Sequence, residues 1–142
     1  MLNVKQHNEK AWDKKVDDGI QWSVIASPAS IEKARQGNPR IILTPTTPIP
    51  LEWLGDLKGQ KVLGLAAGGG QQGPLLAAAG ANVTVVDLSE KQLNQDRKAA
   101  TTYDLEIKAV QTSASDLSMF EDEEFDLIVN PVSSCFFEEL KP

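Results

Sequence analysis

Short apolar runs, separated by small or polar stretches, give the second half of this chain its pattern. Val62-Leu63-Gly64-Leu65 is one such run, and the five residues from Ala66 to Gly70 that follow are all small. Gln71 to Ala79 then read as a helix closed by Gly80. Val83 to Val86 form a second apolar run, ending in Asp87. The pattern predicts strand, glycine turn, helix, strand and acid, and neighbouring parallel strands need a helical crossover of this size. Ser89 with Gln92 reads as a capping box for a helix from about Glu90 to Thr101, with Leu93 and Ala100 facing the sheet. Leu105 to Val110 and Phe125 to Val129 predict a third and a fourth strand.

The first half is more polar. Trp12, Val16 and Ile20 recur every four residues, so they share one helical face. Ser27 caps a predicted helix that starts at Pro28 and ends at Gly37. Ile41 to Leu43 predict a short extended piece. The three prolines of Thr44 to Pro50 predict a stiff, polyproline-like connector. Leu51 to Leu54 read as one helical turn, and Asp56 to Gln60 as the turn feeding the first strand. Two regions are therefore expected: a helical preamble with a Pro-rich connector over 1–50, and a sheet domain over 51–142.

The chemistry sits on the glycine turn. Glycine leaves no Cβ in the way, so a ligand can approach the backbone closely. The amino end of the next helix adds N–H groups and partial positive charge. Asp87 lies about 20 residues after Gly68, the spacing at which a carboxylate takes the hydroxyls of a ribose. An adenosine-type cofactor across this strand edge is the expectation, with bare loop amides facing it. Gly68, Gly70 and Gly73 also form a literal G-x-G-x-x-G, which keeps a nicotinamide dinucleotide, NAD, as an alternative.

The rest narrows the setting. A net charge of −6 gives no reason to expect nucleic acid or anionic lipid as a partner. The single cysteine, Cys135, excludes an internal disulfide and suits a reducing cytoplasm. It reads as a structural thiol, and His7, near the N-terminus, as a solvated side chain. No apolar stretch reaches membrane-spanning length. Glu121-Asp122-Glu123-Glu124 reads as a solvated turn, because consecutive carboxylates do not converge on one ion, and no metal is expected.

Three motifs resemble the class I S-adenosylmethionine-dependent methyltransferases. VLGLAAGGG (Val62 to Gly70) resembles their glycine-rich first motif, and VVDLS (Val85 to Ser89) the strand whose acid binds ribose. SASDLSMFEDEEFDLIVNPVS (Ser113 to Ser133) resembles the adenine loop and the fourth strand. The segments ARQG, LTPTTPIPLEW and GGGQQGP resemble a bacterial branch of the family. The resemblance implies a Rossmann-like α/β fold, a doubly wound and mostly parallel sheet. Only its N-terminal half is expected here, about four strands in the order 3-2-1-4 behind a helical preamble. It implies S-adenosyl-L-methionine as cofactor, with Ala66, Ala67, Gly68 and Gly70 along its methionine and ribose part. Gln72 is implied at its polar end, Asp87 at the ribose, Leu88, Ser113 and Ala114 at the adenine, and Asn130 near the sulfonium.

The motifs also depart from the family. Gly64 stands where an acid is usual, Ala66 where a glycine is usual, and Ser113 where aspartate is common. The chain reads as truncated after the fourth strand. That strand is then a sheet edge with an apolar sequence, Leu127-Ile128-Val129, and a second copy of the chain is expected to cover it. The methyl acceptor, implied to be a small molecule, and the catalytic residues are not legible. Asp116 and Asn130 are the polar groups near enough to be weighed as bases, and Asp116 reads as a turn residue. A non-catalytic member that binds the nucleoside, or nothing, and acts through association is the remaining alternative.

Overall fold

The computed structural model describes residues 3–130, 133 and 137. Cys135 and most of the stretch after Asn130 lie outside the described residues. Four strands form one sheet: β1 (Lys61–Leu65), β2 (Asn82–Asp87), β3 (Ile107–Gln111) and β4 (Leu127–Val129). Their order is β3-β2-β1-β4, with every neighbouring pair parallel, as expected. β1 is central, and its Gly64 lies opposite Val85 of β2 and Val129 of β4. Two crossover helices complete the alternation. α4 (Gln72–Ala78) joins β1 to β2, and α5 (Glu90–Tyr103) joins β2 to β3.

The N-terminal region packs against the sheet domain. α1 (Val4–Asp17) lies against α5, and α2 (Pro28–Arg35) against α4. Ala26, Ile31, Ala34 and Ile41 belong to the same buried cluster as Leu76, Val85 and Leu93. The cap on α2 forms as its sequence demands: Ser27 Oγ accepts from the Ser30 N–H, with Pro28 at the first helical position. α1 stops at Asp17, and Gly19 turns the chain at φ +64°. Ile20 therefore leaves the face that Trp12 and Val16 share.

The Pro-rich connector also differs from its expectation. Instead of an extended rod, residues 42 to 48 double back, with Ile42 and Pro48 forming an antiparallel bridge. The Leu43 and Thr44 N–H groups both donate to the Thr47 carbonyl, at 2.9 and 3.1 Å. Proline forbids a central strand or a helix interior but permits a turn, and the threonines between the prolines supply its hydrogen bonds. α3 (Leu51–Leu54) follows as the single predicted turn.

On α5 the inward positions are Gln92, Leu93, Asp96 and Ala99. Leu93 meets the core as predicted, but Ala99 takes the place expected of Ala100. Two of the four inward residues are polar, which is where the site begins. The acidic run at 121–124 forms a turn in which Glu124 accepts from the Glu121 N–H. β4 is an edge of the described sheet, and Ile128 is 56% exposed there. No helix among the described residues is long and apolar enough to cross a membrane. Leu76, fully buried on α4, is the simplest probe of the core. Leu76→Ala should cost roughly 2–5 kcal/mol in urea denaturation; a loss under about 1 kcal/mol would mean that α4 is not seated on the sheet as described.

Candidate active site

The glycine turn is held from beneath. The Gly68 N–H donates to Asp87 Oδ2 at 3.0 Å, and the Gly69 N–H to Asp96 Oδ2 at 3.1 Å and to the Gln92 carbonyl at 3.0 Å. These amides are not bare, contrary to the expectation from sequence. Two acids and a carbonyl, from the end of β2 and the first turns of α5, satisfy them. Asp96, which the sequence does not single out, is 0% exposed.

Close approach explains the glycines. A Cβ on Gly69, at φ +123°, would lie 2.3 Å from the Trp22 carbonyl oxygen. One on Gly73 would lie 2.7 Å from Val85 Cγ2 and 3.1 Å from Asp96 Oδ1. Gly70 is buried, and its carbonyl accepts from the Ala26 N–H at 2.7 Å. The G-x-G-x-x-G spacing thus serves loop and helix packing. Of its three glycines, only Gly68 lines the cavity described next.

That cavity, of about 320 Å³, opens at the carboxyl ends of β1 and β2. It brings together Ala66, Ala67, Gly68, Gln72, Asp87, Leu88, Ser113 and Ala114, all expected as site residues. Gly70 and Asn130 are not among its lining. Gly70 faces Ile25 and Gln95 instead. Asn130 stands behind the wall, accepting a hydrogen bond from Ser133 Oγ, and it is Ser133 that lines the cavity. Asp116 is exposed and is a turn residue: its carboxylate accepts from Ser118 Oγ and N–H, which holds its pKa below the usual value.

Sequence reasoning missed the outer wall. α1 contributes Lys5, Asn8, Trp12 and Lys15, and the turn at Gln21–Ser23 contributes Trp22. The Lys15 ammonium sits 5.1 Å from the centre of the Trp12 ring, within cation–π range. The four-residue spacing of Trp12 and Val16 placed a helix correctly, but nothing local showed that it would cover the glycine turn.

The electrostatics follow from burial. Asp87 is raised above the usual carboxylate value, chiefly by burial, with the Ser89 and Gly68 amides opposing. Its Oδ1 accepts from the Ser89 N–H and its Oδ2 from Gly68, both at 3.0 Å. A carboxylate offers about four lone-pair sites, so acceptor capacity is left for a ligand hydroxyl. The capping box at Ser89 is half made for the same reason. Ser89 Oγ accepts from the Gln92 N–H, but Asp87 takes the Ser89 N–H that Gln92 would have capped.

Asp96 is pushed up from 3.8 to about 8, first by burial, then partly restrained by the Gly69 amide, with Asp87 adding repulsion. The folded protein keeps this proton where the unfolded chain has lost it. Stability from this group is therefore greatest below about pH 4, falls as pH rises towards about 8, and levels off above. Asp87 shifts in the same direction and adds to the slope. Asp96→Asn should flatten most of that decline and exceed the wild type in stability at the alkaline end. Urea denaturation across the range checks it, and an unchanged slope would contradict the assignment.

With this geometry described, comparison with known proteins adds the following. The pattern of the family described as methyltransferase domain matches residues 63–142. The uncharacterized methyltransferase YbaJ of Bacillus subtilis is 55% identical over 136 residues, 96% of this chain and 53% of its own length. The chain thus spans about half the length of that curated relative. Among solved structures, the 16S rRNA N2 G1207 methyltransferase of T. thermophilus, in complex with AdoMet and guanosine, is similar at a TM-score of 0.50 and 27% identity. That match covers 74% of this chain and 25% of that one. Magnesium protoporphyrin IX methyltransferase of Synechocystis, with bound SAM, shares the fold at a TM-score of 0.59 and 20% identity, over 92% and 62% of the two chains.

Proposed function

The chain belongs to the methyltransferase-domain family, and from that premise we propose that its cavity holds S-adenosyl-L-methionine for methyl transfer to a small-molecule acceptor. The observation that carries this reading is the position of Asp87. It stands at the end of β2, lines the cavity, and has acceptor capacity left after gripping the loop. The cavity's volume lies in the range of small-ligand sites, and its walls combine apolar and polar groups.

In this reading Asp87 accepts from the ribose hydroxyls, and Leu88 packs on the adenine. Ser113 and Ala114 meet the adenine edge, where a hydroxyl accepts more weakly than the carboxylate common in the family. Ala66, Ala67 and Gly68 lie along the remainder, and Gln72 reaches the polar end. The cofactor supplies a methyl group already activated by a sulfonium. The protein's share is then to orient the acceptor and exclude water, a contribution of positioning rather than covalent catalysis. Among the described residues, the titratable side chains lining the cavity are Lys5, Lys15 and Asp87, and Asp87 is engaged with the ribose in this reading.

A nucleoside-binding member without turnover is the second reading, and Gly64 favours it. A Cβ there would lie 3.3 Å from Ala67 Cβ, a tight contact, and 3.5 Å from Val85 Cγ2, an ordinary one, so the acid usual in the family would need Ala67 to give by a few tenths of an ångström. Both readings place the chain in the cytoplasm, in keeping with its one cysteine. The exposed edge at β4 supports a second copy of the chain as the partner. Sedimentation at rising concentration should then show a monomer–dimer equilibrium that Ile128→Lys weakens; a strict monomer throughout would remove the dimer from the reading.

Calorimetric titration with S-adenosylmethionine, S-adenosylhomocysteine and NAD tests the cofactor. Asp87→Ala should weaken both sulfur compounds by roughly 10- to 100-fold, the worth of hydrogen bonds to a charged acceptor. NAD binding with no response to either sulfur compound would overturn the proposal. Methyl transfer to added small-molecule acceptors would separate the two readings.

A further inference from the structure

Asp96 has no contact with the cavity, yet it is the most deeply buried acid described. It projects from the inward face of α5, one turn after Gln92. One oxygen, Oδ2, accepts from the Gly69 N–H at 3.1 Å. The other, Oδ1, is buried with no hydrogen bond of normal geometry, although the Gly70 amide also acts on the carboxyl, and it lies 3.1 Å from where a Cβ on Gly73 would stand. A single carboxyl therefore supports the glycine turn and abuts the first turn of α4. A carboxylate with an orphaned oxygen in such a place is costly, whereas a neutral carboxyl keeps its acceptor for Gly69 and drops the charge.

The charged surroundings are sparse. Residues 66–71 of the loop, all of α4 and the turn at Gln21–Ser23 carry no charged side chain. The charges acting on Asp96 are Asp87, at the end of β2, and Arg97, next to it on α5. Asp87 and Asp96 hold adjacent amides of one loop, those of Gly68 and Gly69. Charge on Asp87 therefore raises the cost of charge on Asp96.

We propose that Asp96 is a positioning residue for cofactor binding: through the Gly69 amide it fixes the glycine turn in the shape that lets Asp87 face the ribose, and ionisation of its orphaned oxygen releases that hold. The proposal rests on reading the cavity as an S-adenosylmethionine site. It requires a neutral Asp96 beside an ionised Asp87. Burial that pushes Asp96 up to about 8 supports its half of that division, a neutral Asp96 near neutral pH.

The test measures S-adenosylhomocysteine affinity by calorimetry from about pH 6 to about pH 9, for the wild type, Asp96→Asn and Asp96→Ala. Amide-exchange protection of the Gly69 region, measured without ligand, accompanies it. Wild-type affinity should fall on the order of tenfold across the range, with loop protection falling in step. Asp96→Asn keeps an acceptor for Gly69 and cannot ionise, so it should hold the acid-side affinity at every pH. Asp96→Ala removes the acceptor and should bind roughly tenfold more weakly throughout. An Asp96→Asn protein with the wild-type slope, or an Asp96→Ala protein that binds like the wild type, would overturn the proposal. Its failure and that of the cofactor reading are distinguishable. If S-adenosylhomocysteine binds while loop protection is the same in all three proteins, the positioning role fails and the cofactor reading stands. If it binds none of them while protection still tracks Asp96, the cofactor reading fails and only the anchoring of the loop survives.

Discussion

Two side-chain carboxyls gripping adjacent backbone amides organise this molecule. A tight turn of small residues has few side-chain contacts of its own, so its shape must come from elsewhere. Here Asp87 and Asp96 supply it by accepting from Gly68 and Gly69. Gln71 and the Gly70 carbonyl tie the outer side of the turn to residues 21–26, through bonds to the Val24 carbonyl and the Ala26 N–H. The turn is thus clamped between α5 on one side and the N-terminal segment on the other. Ala66 sits in the left-handed region at φ +50°, a strain of roughly 1–2 kcal/mol for a residue with a Cβ. That strain persists because the clamp on both sides of the turn over-determines it.

The same acids reach outward to the wall of the cavity. Asp87 takes the Ser89 N–H, and Ser89 Oγ donates to Asp13 Oδ1 of α1 at 2.5 Å. Asp17 of α1 pairs with Lys91 at 2.6 Å, an exposed contact of small energetic weight. α1 has no fully buried residue, and its apolar contribution comes from the half-buried Ala11, Trp12 and Val16. Polar contacts at the start of α5 tie α1 over the cavity, and they lead in two steps back to Asp87 on the cavity wall. The outer wall and Asp87 are coupled through Ser89.

How far the sequence reveals this depends on the range of each interaction. β1, β2 and their helices were legible because hydrophobic period and capping signals are local. Asp87 was legible because its spacing from Gly68 is fixed by one helix and two strands. The strand order came with the resemblance, and the parallel pairs bear it out. The fate of the loop amides was not legible. Nothing in the heptapeptide around Asp96 distinguishes a buried acid from a solvated one, because its burial comes from a loop 27 residues away. The Pro-rich segment misled for a related reason: proline restricts one angle per residue, and the threonine hydrogen bonds that close the turn decide the rest. α1's place on the cavity was illegible too, since its contacts lie more than 70 residues along the chain.

The departures from the family pattern are best understood together. Gly64 leaves a space that Ala67 and Val85 fill, so this position is packed rather than vacant. The acid usual there is lost, while a buried acid and a buried amide appear beneath the loop, at Asp96 and Gln92. Polar support for the turn comes from the helix after it, through Asp96 and the Gln92 carbonyl. A charge on β1 would act on a ligand directly, whereas one on α5 acts through the backbone it holds. That difference ties whatever binds in the cavity to the protonation of a group the ligand never touches.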